Sequence, residues 1–102
     1  MKINVELVTP EKLFFSQDAD MIVVPGAEGD FGVLPNHSPM ISTIRPGVVK
    51  LENDGKSEKV FVSGGFAEVT GERCTIIAEE AQDANSLSDE KIEKLVQEAA
   101  NQ

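Results

Sequence analysis

The stretch VPGAEGDFGVLPNHSP, residues 24–39, combines three glycines, three prolines and the only histidine of the chain. Glycine reaches backbone angles that are closed to other residues, and proline fixes φ and removes a donor, so this segment has a defined shape. Within it, the apolar run from Phe31 to Leu34 predicts a short strand. We therefore expect a rigid, acidic loop that a scaffold of strands presents for contact with a partner.

Short segments of β-strand character precede and follow this loop. Ile3 to Val8 alternates apolar and polar residues, which is the period of a half-buried strand. Asn53-Asp54-Gly55 favours a primed turn, so Val48 to Glu52 should pair with Glu58 to Val62. The other predicted strands are Leu13 to Phe15, Ala19 to Val24, Met40 to Ile44, Phe66 to Thr70 and Arg73 to Ala78. No helical pattern separates them, which predicts a mainly β fold, an antiparallel β-sandwich or flattened barrel.

The sequence changes character after Glu80. Ala81 to Leu87 is polar and predicts a linker. Ser88 then marks the start of a short C-terminal α-helix, because a serine side chain caps free backbone N–H groups. The predicted apolar stripe of this helix comprises Ile92, Leu95, Val96, Ala99 and Ala100. We divide the chain into a β-sandwich domain, residues 1–84, and a linker with one helix, residues 85–102.

The charge balance excludes several classes of partner. The chain contains eighteen acidic and nine basic residues, for a net charge of −9. Such a surface would repel nucleic acid and anionic lipid. A single cysteine precludes an internal disulfide, and neither a signal peptide nor a long apolar run is evident. We expect a cytoplasmic protein that is not itself inserted into a membrane.

Few residues carry the marks of reactive chemistry. His37 has no second histidine to accompany it, and Glu28 with Asp30 supplies too few oxygens for a calcium loop. Residues 63–65, Ser-Gly-Gly, lack the lysine and following helix of a phosphate loop and predict a strand bend. Cys74 has the pattern of a small buried side chain. We predict no catalytic residue, metal or cofactor.

Two further hypotheses belong to other classes. One is a stand-alone β-sandwich adaptor or ligand-binding domain, with a peptide or small-molecule site on the sandwich. The other is an enzyme that uses His37 and Asp30, for which turnover would be lost on His37→Ala.

Four blocks of sequence, VPG at 24–26, GDFGVLPNHSP at 29–39, IRPG at 44–47 and SGGF at 63–66, closely resemble the epsilon subunit of the bacterial F-type ATP synthase in order and spacing. The resemblance spans residues 1 to about 84. It implies a flattened sandwich of about ten strands followed by helical residues. It also implies a non-catalytic central-stalk subunit, which passes proton-driven rotation of the c-ring to the gamma subunit and onward to the alpha/beta hexamer.

The same resemblance implies two sets of contact residues and a location. Asp30 stands where the family usually carries a glutamate that faces the c-ring loops, and His37 stands at the family's loop histidine. The implied c-ring contact is Glu28, Asp30, Phe31 and His37. The implied gamma contact is Val8, Thr9 and Pro10. The location implied is the cytoplasmic face of the bacterial inner membrane, as a peripheral part of the F1 sector.

The C-terminal region departs from the family's pattern. Members commonly end in two antiparallel helices that can extend along gamma and inhibit ATP hydrolysis, and some bind ATP there through an Asp-x-x-Arg-Ala motif. This sequence predicts one helix and shows no such motif. The resemblance therefore carries neither ATP binding nor inhibition by that route over to this chain.

Overall fold

The computed structural model describes residues 2–101, and within them ten strands precede one helix. The strands are β1 (Ile3–Val8), β2 (Leu13–Ala19), β3 (Met21–Gly26), β4 (Gly29–Val33), β5 (Met40–Ile44), β6 (Gly47–Asn53), β7 (Lys56–Val62), β8 (Gly65–Thr70), β9 (Arg73–Ala78) and β10 (Ala81–Asp83). The helix, α1, is Asp89–Ala100. The predicted fold class, mainly β with a short C-terminal helix, is confirmed.

The strands form one sheet that curves into a nearly closed sandwich, in the order β10-β7-β6-β3-β5-β8-β9-β1-β2, with β4 paired to β3 off this path. Most pairs are antiparallel, as predicted, but β1 and β9 run parallel from Asn4 and Arg73 to Val8 and Ile77. Parallel neighbours need a long connection, and residues 9–72 supply it. The curvature brings the ninth strand back to the first.

The core follows the two-residue period of the strands. In β1 the side chains of Ile3, Val5 and Leu7 are buried, and those between them are half-buried. No polar or charged side chain is buried among residues 2–101. The buried side chains are therefore apolar, and the outward-facing side chains determine the polarity and charge of each face of the sandwich.

β2 and β3 extend further along the chain than the sequence predicts. β2 continues from Phe15 to Ala19, which pairs with Ile3 and is buried. β3 accordingly begins at Met21 and runs on through Pro25. Proline cannot donate, but the Pro25 carbonyl accepts a hydrogen bond from the Arg45 N–H at 3.0 Å, so the strand pairing continues past it.

The linker predicted over residues 81–87 is wrong in its first part. Ala81–Asp83 forms β10 and pairs with residues 60–62 of β7. Ala84 is buried, and its N–H donates to the Lys59 carbonyl at 2.9 Å. Backbone pairing at the edge of a sheet needs no alternating pattern, so a three-residue polar strand leaves little trace in the sequence.

The predicted hairpin between β6 and β7 is confirmed. Glu52 pairs with Ser57 and Asn53 with Lys56. Asp54 and Gly55 form the turn with φ of 53° and 80°, the positive angles that a primed turn requires.

The helix begins as predicted and packs loosely. The Ser88 Oγ accepts the Lys91 N–H at 3.2 Å, which is the expected N-cap. Ile92, Leu95, Val96 and Ala99 are half-buried, whereas Ala100, predicted on the same stripe, is exposed. No residue of α1 is fully buried. Ile92 lines a cleft with Val48 and Lys50 of β6.

The Ser-Gly-Gly bend between β7 and β8 depends on the absence of a side chain at Gly65. Its φ is +141°, and a Cβ added there would lie 1.9 Å from the Ile77 carbonyl oxygen of the neighbouring β9. A contact this short with backbone cannot be relieved by rotating a side chain. Residue 65 must therefore be glycine for β8 and β9 to pair at this register.

We expect Gly65→Ala to lower the free energy of unfolding by roughly 3 kcal/mol or more, because strain and a backbone clash act together. Gly71→Ala is the matched control, since a Cβ there meets nothing within 4 Å. Urea denaturation of both variants measures the difference. Equal midpoints for the two variants would show that the close approach at Gly65 is not structural.

Candidate docking surfaces

The stretch that sequence analysis treats as an acidic loop is in large part a β-hairpin. β3 and β4 pair from Ile22 and Val33 to Gly26 and Gly29, and Ala27 and Glu28 form its tip. The predicted strand from Phe31 to Leu34 thus begins two residues earlier, and Leu34 lies beyond it, exposed. The hairpin is rigid because its residues are paired along their length.

Arg45 fixes the hairpin tip to the turn between β5 and β6. One guanidinium nitrogen donates to the Gly26 carbonyl at 2.5 Å, and the other lies 2.5 Å from the Asp30 carboxylate. The Asp30 and Arg45 side chains are 61% and 44% exposed, so solvent screens the pair and its contribution to stability is small. Its effect is on geometry and charge, because Asp30 is neutralised within the chain.

Glu28 and Phe31, the two hairpin residues near Asp30, differ in their exposure and contacts. Glu28 is exposed at the tip and has no ion pair within residues 2–101. Phe31 is half-buried against the core. Its ring lies over Gly26, where an added Cβ would come within 2.9 Å of two ring carbons. Glu28 is therefore the unneutralised carboxylate of this tip.

His37 lies away from the hairpin tip. The five residues of β4 separate the tip from the segment that contains His37, and four steps of about 3.4 Å make that separation about 14 Å along the strand. The ring Nδ1–H donates to the Ser38 carbonyl at 2.7 Å, and the backbone N–H donates to the Leu34 carbonyl at 3.2 Å. The structure therefore brings Glu28, Asp30 and Phe31 together and leaves His37 apart.

Val8, Thr9 and Pro10 form the end of β1 and the turn that follows. The Thr9 N–H donates to the Lys12 carbonyl at 2.9 Å, and the Lys12 N–H donates back to Thr9 at 3.2 Å. The Thr9 hydroxyl also donates to the Lys12 carbonyl at 3.2 Å. Three hydrogen bonds thus hold this turn in one conformation.

A row of outward-facing residues crosses five strands and was missed by sequence reasoning. Strand register aligns Thr43 of β5 with Phe66, Phe66 with Ile77, Ile77 with Val8, and Val8 with Leu13 of β2. We name these five residues the apolar row. Phe66, Ile77 and Leu13 are 55%, 49% and 53% exposed. The sequence did contain one indication of this row. Ile77 is apolar, although it alternates with the apolar residues Ile76 and Ala78 and so occupies a position where a polar residue is expected.

The apolar row joins the two predicted contact regions. The Thr43 carbonyl at one end accepts a hydrogen bond from the Ala27 N–H of the hairpin tip at 2.9 Å. Val8, near the other end, is the first residue of the Thr9 turn. The hairpin tip is therefore adjacent to one end of the apolar row, and the Thr9 turn is adjacent to the other end.

The titratable groups show no clustered reactive site. Among residues 2–101 there is no group of three or more His, Cys, Asp or Glu side chains placed to hold a metal ion. Burial raises the pKa of the Cys74 thiol to about 12, and a thiol held neutral is a poor nucleophile. Across the same residues, the chain contains no helix of the length and apolar character needed to cross a membrane.

A nearly closed β-sandwich followed by one short helix defines the class of this protein. The family described as ATP synthase, Delta/Epsilon chain, beta-sandwich domain matches residues 2–84. The match covers most of the chain, so the chain belongs to that family.

Curated relatives agree along most of the chain. It is 54% identical over 95 residues to the ATP synthase epsilon chain of Rhodospirillum rubrum, covering 92% of this chain and 71% of the relative. It is 57% identical over 93 residues to that of Paramagnetospirillum magneticum, covering 90% and 70%. For Rhodospirillum centenum the identity is 56% over 89 residues, covering 84% and 61%. The chain thus spans about two thirds of the length of these relatives.

Solved structures share the fold. A chain in the Euglena gracilis mitochondrial ATP synthase, in an OSCP/F1/c-ring structure, superposes with a TM-score of 0.80 at 27% identity and covers 95% of this chain and 62% of that one. A chain of the Tetrahymena thermophila mitochondrial ATP synthase central stalk/c-ring structure superposes at 0.70, with 18% identity and coverage of 98% and 97%. The second likeness shows the fold alone.

A double-mutant cycle of Asp30→Asn and Arg45→Gln tests the contact that fixes the hairpin tip. We expect a coupling energy of about 0.2–1 kcal/mol, the range of exposed ion pairs. Denaturant unfolding measures it, and Glu28→Gln combined with Arg45→Gln is the control, with no coupling expected. Additive effects of Asp30→Asn and Arg45→Gln would show that the pair does not form in solution.

We expect the Cys74 thiol of the folded protein to resist Ellman's reagent at mildly alkaline pH. Burial holds its pKa at about 12, against about 8.5 in an unfolded chain. The same assay in denaturing guanidinium chloride should show one reactive thiol per chain. Rapid labelling under native conditions would contradict the burial of Cys74.

Proposed function

We propose that this chain is a non-catalytic subunit of the rotating central stalk of an F-type ATP synthase. It couples proton-driven rotation of the c-ring to the gamma subunit, and so to ATP synthesis from ADP and phosphate at the alpha/beta hexamer. The observation that carries the proposal is the family match over residues 2–84. Relatives named ATP synthase epsilon chain, at 54% and 57% identity, support it, as does the chain of a solved F1/c-ring assembly.

The proposed c-ring contact is the tip of the β3–β4 hairpin. Arg45 holds the tip in place and neutralises Asp30, so Glu28 supplies the net negative charge and Phe31 supplies an apolar neighbour. Charges of opposite sign across an interface fix orientation and register more than they add affinity. His37 belongs to the proposed contact only at its margin, because β4 separates it from the tip.

The proposed gamma contact is the turn of Val8, Thr9 and Pro10. Its three internal hydrogen bonds mean that little conformational entropy is lost when a partner binds. A rotor subunit needs such preorganised surfaces, because torque is transmitted only where the bound orientation is fixed.

The remaining parts of the proposal follow from this role. We place the chain at the cytoplasmic face of the bacterial inner membrane, as a peripheral part of the F1 sector that needs no cofactor. We divide the chain into a β-sandwich domain, residues 1–84, which carries both proposed contacts, and a linker with a short helix, residues 85–102. The net charge of −9 disfavours nucleic acid and anionic lipid as partners.

Size-exclusion chromatography with the purified gamma subunit tests the proposal. We expect the two chains to co-elute at micromolar concentration. Addition of the chain to a complex depleted of its epsilon subunit should restore coupling without strongly inhibiting ATP hydrolysis. Failure to co-elute would overturn the proposed function. Strong inhibition would contradict the expectation that a chain with one short C-terminal helix does not restrain ATP hydrolysis.

Reversing the charges of Glu28 and Asp30 together, as Glu28→Lys and Asp30→Lys, should weaken retention on a purified c-ring. The fold should persist, because exposed charges contribute at most about 1 kcal/mol each to stability, even where the lysine introduced in place of Asp30 would face Arg45. Pull-down on the immobilised c-ring measures retention, and thermal unfolding measures the fold.

Glu52→Lys with Glu58→Lys is the matched control, since both residues are exposed on β6 and β7 and the change in net charge is the same. The control should be retained like the native chain. Equal loss in both double variants would show that net charge, not the hairpin tip, determines attachment. A much lower melting temperature of the hairpin variant would contradict the exposed position of these carboxylates.

A further inference from the structure

The turn between β6 and β7 contains a dipeptide whose side chain and main chain can react with each other. None of the other aspartates of the chain, and none of its asparagines, is followed by glycine, so Asp54-Gly55 stands alone. A glycine after an aspartate leaves its backbone nitrogen open to attack the aspartate side chain, because no Cβ shields that nitrogen. The sequence therefore points to one position for this chemistry.

The structure exposes both reacting groups at the tip of the turn. The Asp54 side chain is 80% exposed, and Gly55 is exposed beside it. A Cβ added at Gly55 would meet nothing within 4 Å, so the space around it is open. Within residues 2–101, Gly55 lies outside the β6–β7 pairing and its N–H takes part in no backbone hydrogen bond. The Gly55 nitrogen is therefore available to react.

Lys2 opposes the reaction by favouring the ionised form of the Asp54 carboxyl group. The Lys2 Nζ lies 2.8 Å from Asp54 Oδ1 and 2.9 Å from Asp20 Oδ1. The hydrogen bonds to Asp54 and Asp20 raise the pKa of Lys2 above its usual value, so Lys2 stays charged at neutral pH. A neighbouring cation stabilises a carboxylate, and a carboxylate is a poorer electrophile than the neutral acid. The Asp54 N–H also donates to Asp20 Oδ2 at 2.9 Å, which holds the turn in place.

We propose that Asp54 is a site of spontaneous aspartate isomerisation in this chain and that Lys2 slows the reaction. The Gly55 nitrogen forms a bond to Cγ of the neutral Asp54 carboxyl group. The bond from Cγ to its hydroxyl breaks, and the hydroxyl leaves as water with the proton of the Gly55 N–H. Water then opens the resulting succinimide ring at either carbonyl, which restores aspartate or leaves isoaspartate. Water is the sole co-reactant, and no group is oxidised or reduced.

Isoaspartate changes the turn in two ways. It routes the main chain through the former side chain, which adds a methylene between Asn53 and Lys56, the pair that closes the hairpin. A two-residue primed turn depends on a main chain of fixed length, so this closing pair is disturbed. The free carboxylate is then attached directly to Cα and is drawn away from Lys2. The ion pair between Lys2 and residue 54 is therefore lost.

The β6–β7 turn lies at the end of the sandwich opposite the proposed contacts. Met21 pairs with Glu52 next to this turn, whereas Gly26, at the other end of β3, lies at the hairpin tip. The length of β1 likewise separates Lys2 from the Thr9 turn. The proposal is therefore independent of the proposed function, and the isomerised chain should bind gamma as the native chain does.

Prolonged incubation of the purified full chain at neutral pH, followed by peptide mapping with electron-transfer mass spectrometry, tests the proposal. Isoaspartate should accumulate at residue 54. Asp18 and Asp83 are internal references, because both are exposed and both precede alanine. Asp54→Glu should abolish the signal, since ring closure from the longer side chain is much slower. Absence of isoaspartate at residue 54, or an equal yield at the two reference aspartates, would overturn the proposal.

Lys2→Gln tests the protective ion pair in the same assay. Isoaspartate at residue 54 should form about two to five times faster than in the native chain, the range that the energy of an exposed ion pair supports. Lys56→Gln is the matched control, because Lys56 is exposed beside the same turn and makes no ion pair within residues 2–101. Its rate should equal the native rate.

High salt gives a second measurement that needs no substitution. Because salt screens an exposed ion pair, it should accelerate isomerisation of the native chain and leave the rate of Lys2→Gln unchanged. Equal rates for the native chain at low and high salt, or for the native chain and Lys2→Gln, would show that Lys2 does not protect Asp54.

Discussion

The parallel pairing of β1 with β9 is the constraint on which the rest of the structure depends. It joins the β1–β2 hairpin to the ninth strand, so that strands from the two ends of the sandwich lie side by side in one sheet. Because side chains alternate with a period of two, a shift of β1 by one residue would place Ile3, Val5 and Leu7 outside. The same register places Val8 beside Ile77. The β1–β9 register therefore determines both which side chains of β1 enter the core and which of its side chains meet Ile77 on the outer face.

Local features were predictable because their causes are local. The hairpin at Asp54-Gly55, the Ser88 cap and the alternation of β1 each follow from residues a few positions apart. The family's short blocks also allowed candidate contact residues to be proposed. By contrast, β10 has no side-chain pattern of its own, and its pairing with β7 is a matter of backbone hydrogen bonds. Sequence patterns do not report such bonds.

The parts of the candidate site that escaped prediction are those that join distant segments. Phe66, Ile77 and Val8 belong to three strands, and only the register aligns them. Asp30 and Arg45 are fifteen residues apart, and the Arg45 cation balances a carboxylate that the family resemblance implies as a c-ring contact. Glu28, at the tip, is left as a carboxylate without an ion pair among residues 2–101. Ion pairs such as Asp30 with Arg45 therefore determine where unpaired charge lies on the surface, which composition alone does not show.

The burial of Cys74 has a practical consequence. It is the only cysteine of the chain, and it is enclosed by the core. A dye or spin label attached through an introduced cysteine at the hairpin tip would therefore mark a single position, without removal of the native residue. Because the tip is held by Arg45 and by strand pairing on β3, the label would turn with the whole sandwich, and its angle would report the orientation of the subunit directly.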